Sequence, residues 1–309
     1  MFKRSTLRAG LVALALMTTA VAPGVSAAPP LEVVTSIKPL ALLVRAVAPE
    51  GTRITTLVPP GQSPHTYALK PSQRQALAGA DLVVWVGPGL EAFLRPVLDQ
   101  GALSARVLTL APDLEDHAHD GHDEKEATED GEEDGTDPHL WVDPTRALSM
   151  AGDIRRTLAA LPDQDPAVLE QRFSAFSEAL KQQDDALRQA LRPVNDVSLF
   201  AYHTAFVGFA RHYQLSLAGV LTLNPELSPG ARHVAEIRSQ LASTRHPCLL
   251  TEPQFNPRWW HAVTDGLPVI QSHWDPLATE APDTANGYLV FQKSIADAVL
   301  ACLPEQAEH

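Results

Sequence analysis

The chain is expected to fold as two α/β lobes, each built on a parallel sheet, joined by one long rigid helix. Three observations lead there. Strand-like and helix-like segments alternate in two sets along the 309 residues. The strand-like runs, such as Leu82-Val83-Val84-Trp85-Val86, are apolar throughout, as strands covered on both faces are. Between the sets lies a helical pattern that opens at Asp165-Pro166 and stops at Pro193, with apolar residues three and four apart.

In the first set, Leu31 to Ser36 is a β-branched run leading into a helix on Leu40, Leu42, Leu43, Ala46 and Val47, which Gly51 breaks. A strand at Arg53 to Val58 is closed by Pro59-Pro60-Gly61. A loop, Gln62 to Tyr67, precedes a helix from Pro71 to Gly79, then the strand Leu82 to Val86 and a further helix after Gly87-Pro88-Gly89. Asp143-Pro144 and Asp165-Pro166 each read as an N-cap followed by proline at the first helical position. The second of these helices presents Leu169, Phe173, Phe176, Leu180, Leu187 and Leu191 as one stripe, and its length spans about 40 Å, enough to cross both lobes. The second set comprises strands Ser198 to Tyr202, Leu215 to Leu221, Cys248 to Glu252 and Pro268 to Trp274. Its helices are Thr204 to Tyr213, Gly230 to Ala242, Pro257 to Asp265 and Leu289 to Cys302. The expected divisions are a leader at 1–27, a first lobe at 28–150, connecting helices at 151–194 and a second lobe at 195–309.

The leader rests on Lys3, Arg4 and Arg8 before an apolar run from Ala9 to Ala22, then the small-residue site Val25-Ser26-Ala27. This pattern predicts export, to the periplasm of a two-membrane bacterium. No cysteine lies near that site to take a lipid anchor, and no later run is long and apolar enough for a membrane span. The two cysteines, Cys248 and Cys302, fall in the exported part, where disulfides persist, and are expected to pair. A metal site on the two cysteines is the competing reading, and it lacks further ligands nearby.

The stretch from Asp113 to His139 differs from everything else. It has thirteen acids against one lysine, so it carries nearly all of the chain's formal −13. It is too polar to offset the entropy of ordering it, which predicts a loop at 113–138. His117, His119 and His122 sit among its carboxylates, a composition that collects zinc, copper or nickel weakly; a solvated acidic linker is the plainer reading.

Ligands of open parallel sheets bind beyond the carboxyl ends of the strands. His65, His139 and His203 fall at such positions, and Asp275 follows the last strand. They could converge in the cleft between the lobes, where three imidazoles with a carboxylate or water make a tetrahedral zinc set. Taken singly, His65 is a loop residue, His139 a backbone hydrogen-bonder, His203 a helix cap and Asp275 a turn residue. His212, His233, His246, His261 and His273 receive no role.

Several motifs together carry a resemblance: PHTYALKPS, the acidic insertion ending in DPHLWVDP, AYHTAF, TEPQFNP, and the closing DPLATEAPDTANGYLVFQKSIADAVLACL. The mature chain resembles the high-affinity zinc-uptake receptors of bacterial ABC importers, within the metal-receptor solute-binding cluster. The resemblance implies zinc held between two lobes by His65, His139 and His203, with Asp275 or water fourth. It also implies a Cys248–Cys302 pair and delivery to an inner-membrane permease driven by an ATPase. One departure is Pro64, where many zinc members have glutamate before the first histidine. Manganese-carrying relatives place a carboxylate where this chain has His203, and imidazole there favours zinc.

The receptor is expected to be a monomer without a nucleic-acid partner, and not an enzyme. A hydrolytic zinc enzyme would need a general base beside metal-bound water, and no HExxH motif occurs. A manganese or iron receptor on the same scaffold, and a zinc buffer or chaperone without a permease, are the alternatives.

Overall fold

The computed structural model of the protein describes residues 29–112, 137–222 and 230–303. The expected leader, the loop histidines His117, His119 and His122, and nearly all of the acidic loop lie outside these residues.

Both halves have the predicted class. In the first, β1 (Glu32–Thr35), β2 (Arg53–Thr56), β3 (Leu82–Trp85) and β4 (Val107–Thr109) form a parallel sheet in the order β2-β1-β3-β4. In the second, β5 (Ser198–Ala201), β6 (Leu217–Val220), β7 (Pro247–Thr251) and β8 (Ile270–His273) repeat that arrangement as β6-β5-β7-β8. Of the inner strands, β3 and β7 are buried along their whole length, which accounts for the apolar runs Leu82 to Trp85 and Pro247 to Leu250. β4 was not expected. It is three residues long, partly exposed, and sits at an edge, so it leaves no periodic trace. The helix expected after Gly89 is only a short 3₁₀ turn at Ala92–Leu94 running into the single turn α3 (Arg95–Leu98).

Helices cover the sheets: α1 (Lys38–Val47), α2 (Pro71–Gly79) and α4 (Pro144–Ala159) beside the first, and α6 (Val207–Tyr213), α7 (Ala231–Ser243), α8 (Arg258–Thr264) and α9 (Gly287–Leu300) beside the second. The long helix α5 (Pro166–Ala190) has 25 residues, about 37 Å at 1.5 Å per residue. Both predicted N-caps form: Asp143 accepts from the amide of Thr145 at 2.7 Å, and Asp165 from that of Ala167 at 2.8 Å. The stripe Leu169, Phe176, Leu180 and Leu187 turns α5 inward. From there Arg172 donates to the carbonyl of Arg45 in α1 at 3.0 Å and Gln183 to that of Leu289 in α9 at 2.7 Å, so α5 touches both halves as expected.

The halves share one apolar core, which runs from Leu42 and Leu43 of α1 through Trp141 to Tyr288 and Phe291 of α9. Polar bonds stitch the seam. The Trp141 indole donates to the carbonyl of Pro276 at 2.7 Å, the Tyr288 hydroxyl donates to the carbonyl of Trp141 at 2.7 Å, and the Gln292 amide donates to that of Val142 at 3.0 Å. Gly287 is required here. A Cβ at this position would lie 2.2 Å from the Pro282 oxygen and 2.7 Å from Leu42 Cδ2, so only glycine lets α9 approach α1 so closely. Cys248 and Cys302 are joined by a disulfide that pins the end of α9 to β7. No described helix is long and apolar enough to cross a membrane.

Candidate metal site

Three loops at the carboxyl ends of strands supply the site. The one after β2 carries His65, and α2 clamps it: Gln73 accepts from the Lys70 amide at 2.9 Å and donates to the Tyr67 hydroxyl at 2.9 Å. Tyr67 in turn packs edge-on against Phe93. His139 ends the acidic stretch, where Pro138 and the 3₁₀ turn Leu140–Val142 seat it beside buried Trp141. His203 follows β5 after one residue, Tyr202.

The Nε2 atoms of His65 and His139 are 3.2 Å apart, and those of His203 and His139 are 3.3 Å apart. All three ligand atoms lie within 4.8 Å of one another, and this is the group among the described residues that could hold a metal ion. His139 and His203 are buried, at 4% and 2% exposure, while His65 is partly open. The space between the rings is about 10 Å³, room for roughly one water-sized occupant. An ion fits there and an organic molecule does not.

Two carboxylates set the rings. Asp137 accepts from His139 Nδ1 at 2.7 Å and also from its backbone amide at 3.1 Å. Glu252, which follows β7, accepts from His203 Nδ1 at 2.7 Å. A carboxylate only accepts, so each Nδ1 carries the proton and each Nε2 presents a bare lone pair. Two lone pairs facing each other at 3.3 Å repel unless a cation lies between them. Asp137 and Glu252 were missed as ring supports at the level of sequence. Asp137 is one acid among thirteen, and Glu252 meets His203 only because β7 pairs with β5.

The structure does not bring Asp275 into this group. Its Oδ1 accepts from the amide of Leu277 at 2.9 Å and from Gln254 Nε2 at 2.6 Å, and its Oδ2 from the amide of Thr279 at 2.8 Å. It caps the turn after β8, and the neighbouring Pro276 and Leu277 are what reach the rim of the site.

Electrostatics disfavour protonation of the His65 and His139 rings. Burial, then the nearby His139 and His203, pushes His65 down to about 2 from 6.5. Burial also lowers His139, outweighing the opposing pull of Asp137. Burial works against ionisation of Asp137, but the electrostatic pull of the His139 ring and the hydrogen bonds from its Nδ1 and its amide hold the carboxyl below the usual range.

The linkage has a definite sign. Between about 2 and 6.5 the unfolded chain takes up a proton that folded His65 refuses, so the metal-free protein loses stability as pH falls through this window. The loss from this one ring between pH 7 and pH 5 is about 2 kcal/mol. Buried Glu91, raised to about 7 by burial, acts with the opposite sign, being destabilising as pH rises from 4.5. Comparing wild type with His65→Gln isolates the ring: in urea titrations at both pH values the variant is expected to lose about 2 kcal/mol less on acidification. Equal losses would contradict the assignment.

A family model described as "Zinc-uptake complex component A periplasmic" matches residues 33–302. The high-affinity zinc uptake system protein ZnuA of Yersinia pestis is 33% identical over 288 residues, covering 88% of this chain and 91% of that protein. ZnuA of Haemophilus ducreyi is 32% identical, covering 91% of this chain and 96% of its own length. Among solved structures, a zinc-bound deletion mutant of ZnuA superposes with a TM-score of 0.68 at 26% identity, covering 87% of this chain and 98% of that one.

Proposed function

The chain belongs to the family of periplasmic zinc-uptake component A proteins, and we propose from that premise that it is the soluble receptor of a zinc importer. In this reading an amino-terminal leader at 1–27 sends it to the periplasm without a lipid anchor. As a monomer it captures Zn²⁺ between its lobes and delivers it to an inner-membrane ABC permease. His65, His139 and His203 are the ligands, each through Nε2. The fourth position falls to water, or to Asp275 if its turn releases the amides of Leu277 and Thr279. His117, His119 and His122 in the acidic stretch gather metal for the tight site.

The observation that carries this is the meeting of imidazole nitrogens around an ion-sized space, with Asp137 and Glu252 behind two of them. Three nitrogen donors suit zinc better than manganese, which prefers oxygen. The two carboxylates balance the charge of one divalent ion. Nothing in this arrangement asks for turnover, and the role is capture and release.

Competitive titration of the mature protein with zinc and a chromophoric chelator tests it. One tight equivalent is expected, and His65→Ala, His139→Ala and His203→Ala should each weaken it at least 100-fold. Full affinity in all three variants would refute the proposal. Tighter binding of manganese or iron would favour a receptor for those ions, and zinc binding without any interaction with a permease would favour a buffer.

A further inference from the structure

Glu252 carries an oddity that holding a ring does not explain. Its side chain is wholly buried, and while Oε1 engages His203, Oε2 has no hydrogen-bond partner. Asp137, which plays the same part for His139, is 24% exposed, so solvent reaches it. A buried carboxylate oxygen without a donor is costly, and such atoms in a folded protein call for a reason. The ring it supports faces the ion-sized space with its other nitrogen, so a divalent cation there would lie just across the imidazole from this charge.

Resting on the zinc reading, we propose that Glu252 is a positioning residue that lowers the stability of the metal-free protein and raises its hold on the ion. The hydrogen bond to Nδ1 fixes the tautomer and direction of His203, so that Nε2 is aimed before metal arrives. The unpaired oxygen is a cost of the empty site that the cation's field relieves. His65 is the contrast: among the described residues no carboxylate or carbonyl holds its Nδ1, so His203 and His139 form the preset half of the site and His65 completes it.

Glu252→Gln separates this from a merely structural role, because its carbonyl oxygen still accepts from Nδ1 while the charge is gone. Three quantities are read on the full mature chain: the melting temperature without metal, the zinc affinity, and the d–d absorption of the cobalt-loaded protein. The expected result is a metal-free melting temperature equal to or above wild type, zinc affinity reduced 10- to 100-fold, and a cobalt spectrum still typical of three nitrogen donors. Glu252→Leu, which removes the acceptor as well, should alter that spectrum. Wild-type affinity in Glu252→Gln would overturn the proposal, as would a fall in affinity together with a lower metal-free melting temperature. His203→Ala run alongside keeps the two levels apart. If it too binds as wild type does, the zinc reading itself fails; if it loses binding while Glu252→Gln keeps it, only the role of Glu252 does.

Discussion

Trp141→Ala is expected to cost about 3–5 kcal/mol of stability and to weaken zinc binding as well. The indole is fully buried, and its edge lies against the His139 ring, with centroids 5.3 Å apart. It also bridges the halves, donating to Pro276 on one side while its own carbonyl receives Tyr288 from the same quarter. Truncation leaves a cavity in the shared core and strands the Pro276 oxygen. Trp141→Phe separates these effects: it refills most of the volume but cannot donate, so its loss should be nearer to the 1–3 kcal/mol of one unsatisfied buried acceptor. Urea unfolding of the metal-free proteins gives the stability difference, and chelator competition gives the affinity. An alanine variant within 1 kcal/mol of wild type would mean that the seam yields more easily than its packing indicates.

Removing the disulfide by the paired change Cys248→Ala and Cys302→Ala should lower stability by about 4 kcal/mol, the chain-entropy value for a loop of this size. The sequence separation is 54 residues, and both cysteines are fully buried. The loop encloses β8, α8, all of α9 and the Glu252 segment, so without the link the second half gains freedom around one support of the candidate metal site. Zinc affinity should fall less than stability does, because the ligands themselves stay on strand ends. Denaturation midpoints of oxidised wild type, reduced wild type and the double variant decide it. Reduced wild type and the variant should agree, and a midpoint unchanged from oxidised wild type in both would show that the link does not constrain the unfolded chain.

Much of this architecture was legible in the sequence for reasons that can be named. Strands β3 and β7 are buried along their whole length, so Leu82 to Trp85 and Cys248 to Leu250 read as unbroken apolar runs. Asp143 and Asp165 cap their helices by purely local chemistry, which needs no tertiary context. The three histidines could be grouped because parallel sheets deliver loops from distant parts of the chain to one end. What stayed hidden depended on pairings that sequence order does not reveal. Glu252 meets His203 only through the adjacency of β5 and β7. Asp275 was expected among the ligands because it follows a strand, yet a turn with free amides two and four residues on captured both of its oxygens. The edge strand β4 is too short to show a period, and Leu140 to Val142, apolar enough for a strand, winds into a 3₁₀ turn between proline residues.

The common interior ties the relative placement of the two halves to the burial of a single core. Prising them apart would wet Leu42, Trp141, Tyr288 and Phe291 together and break the bonds that Trp141 makes to both Pro276 and Tyr288. His65, set between buried Pro64 and Tyr67, is less deeply covered than His139 and His203.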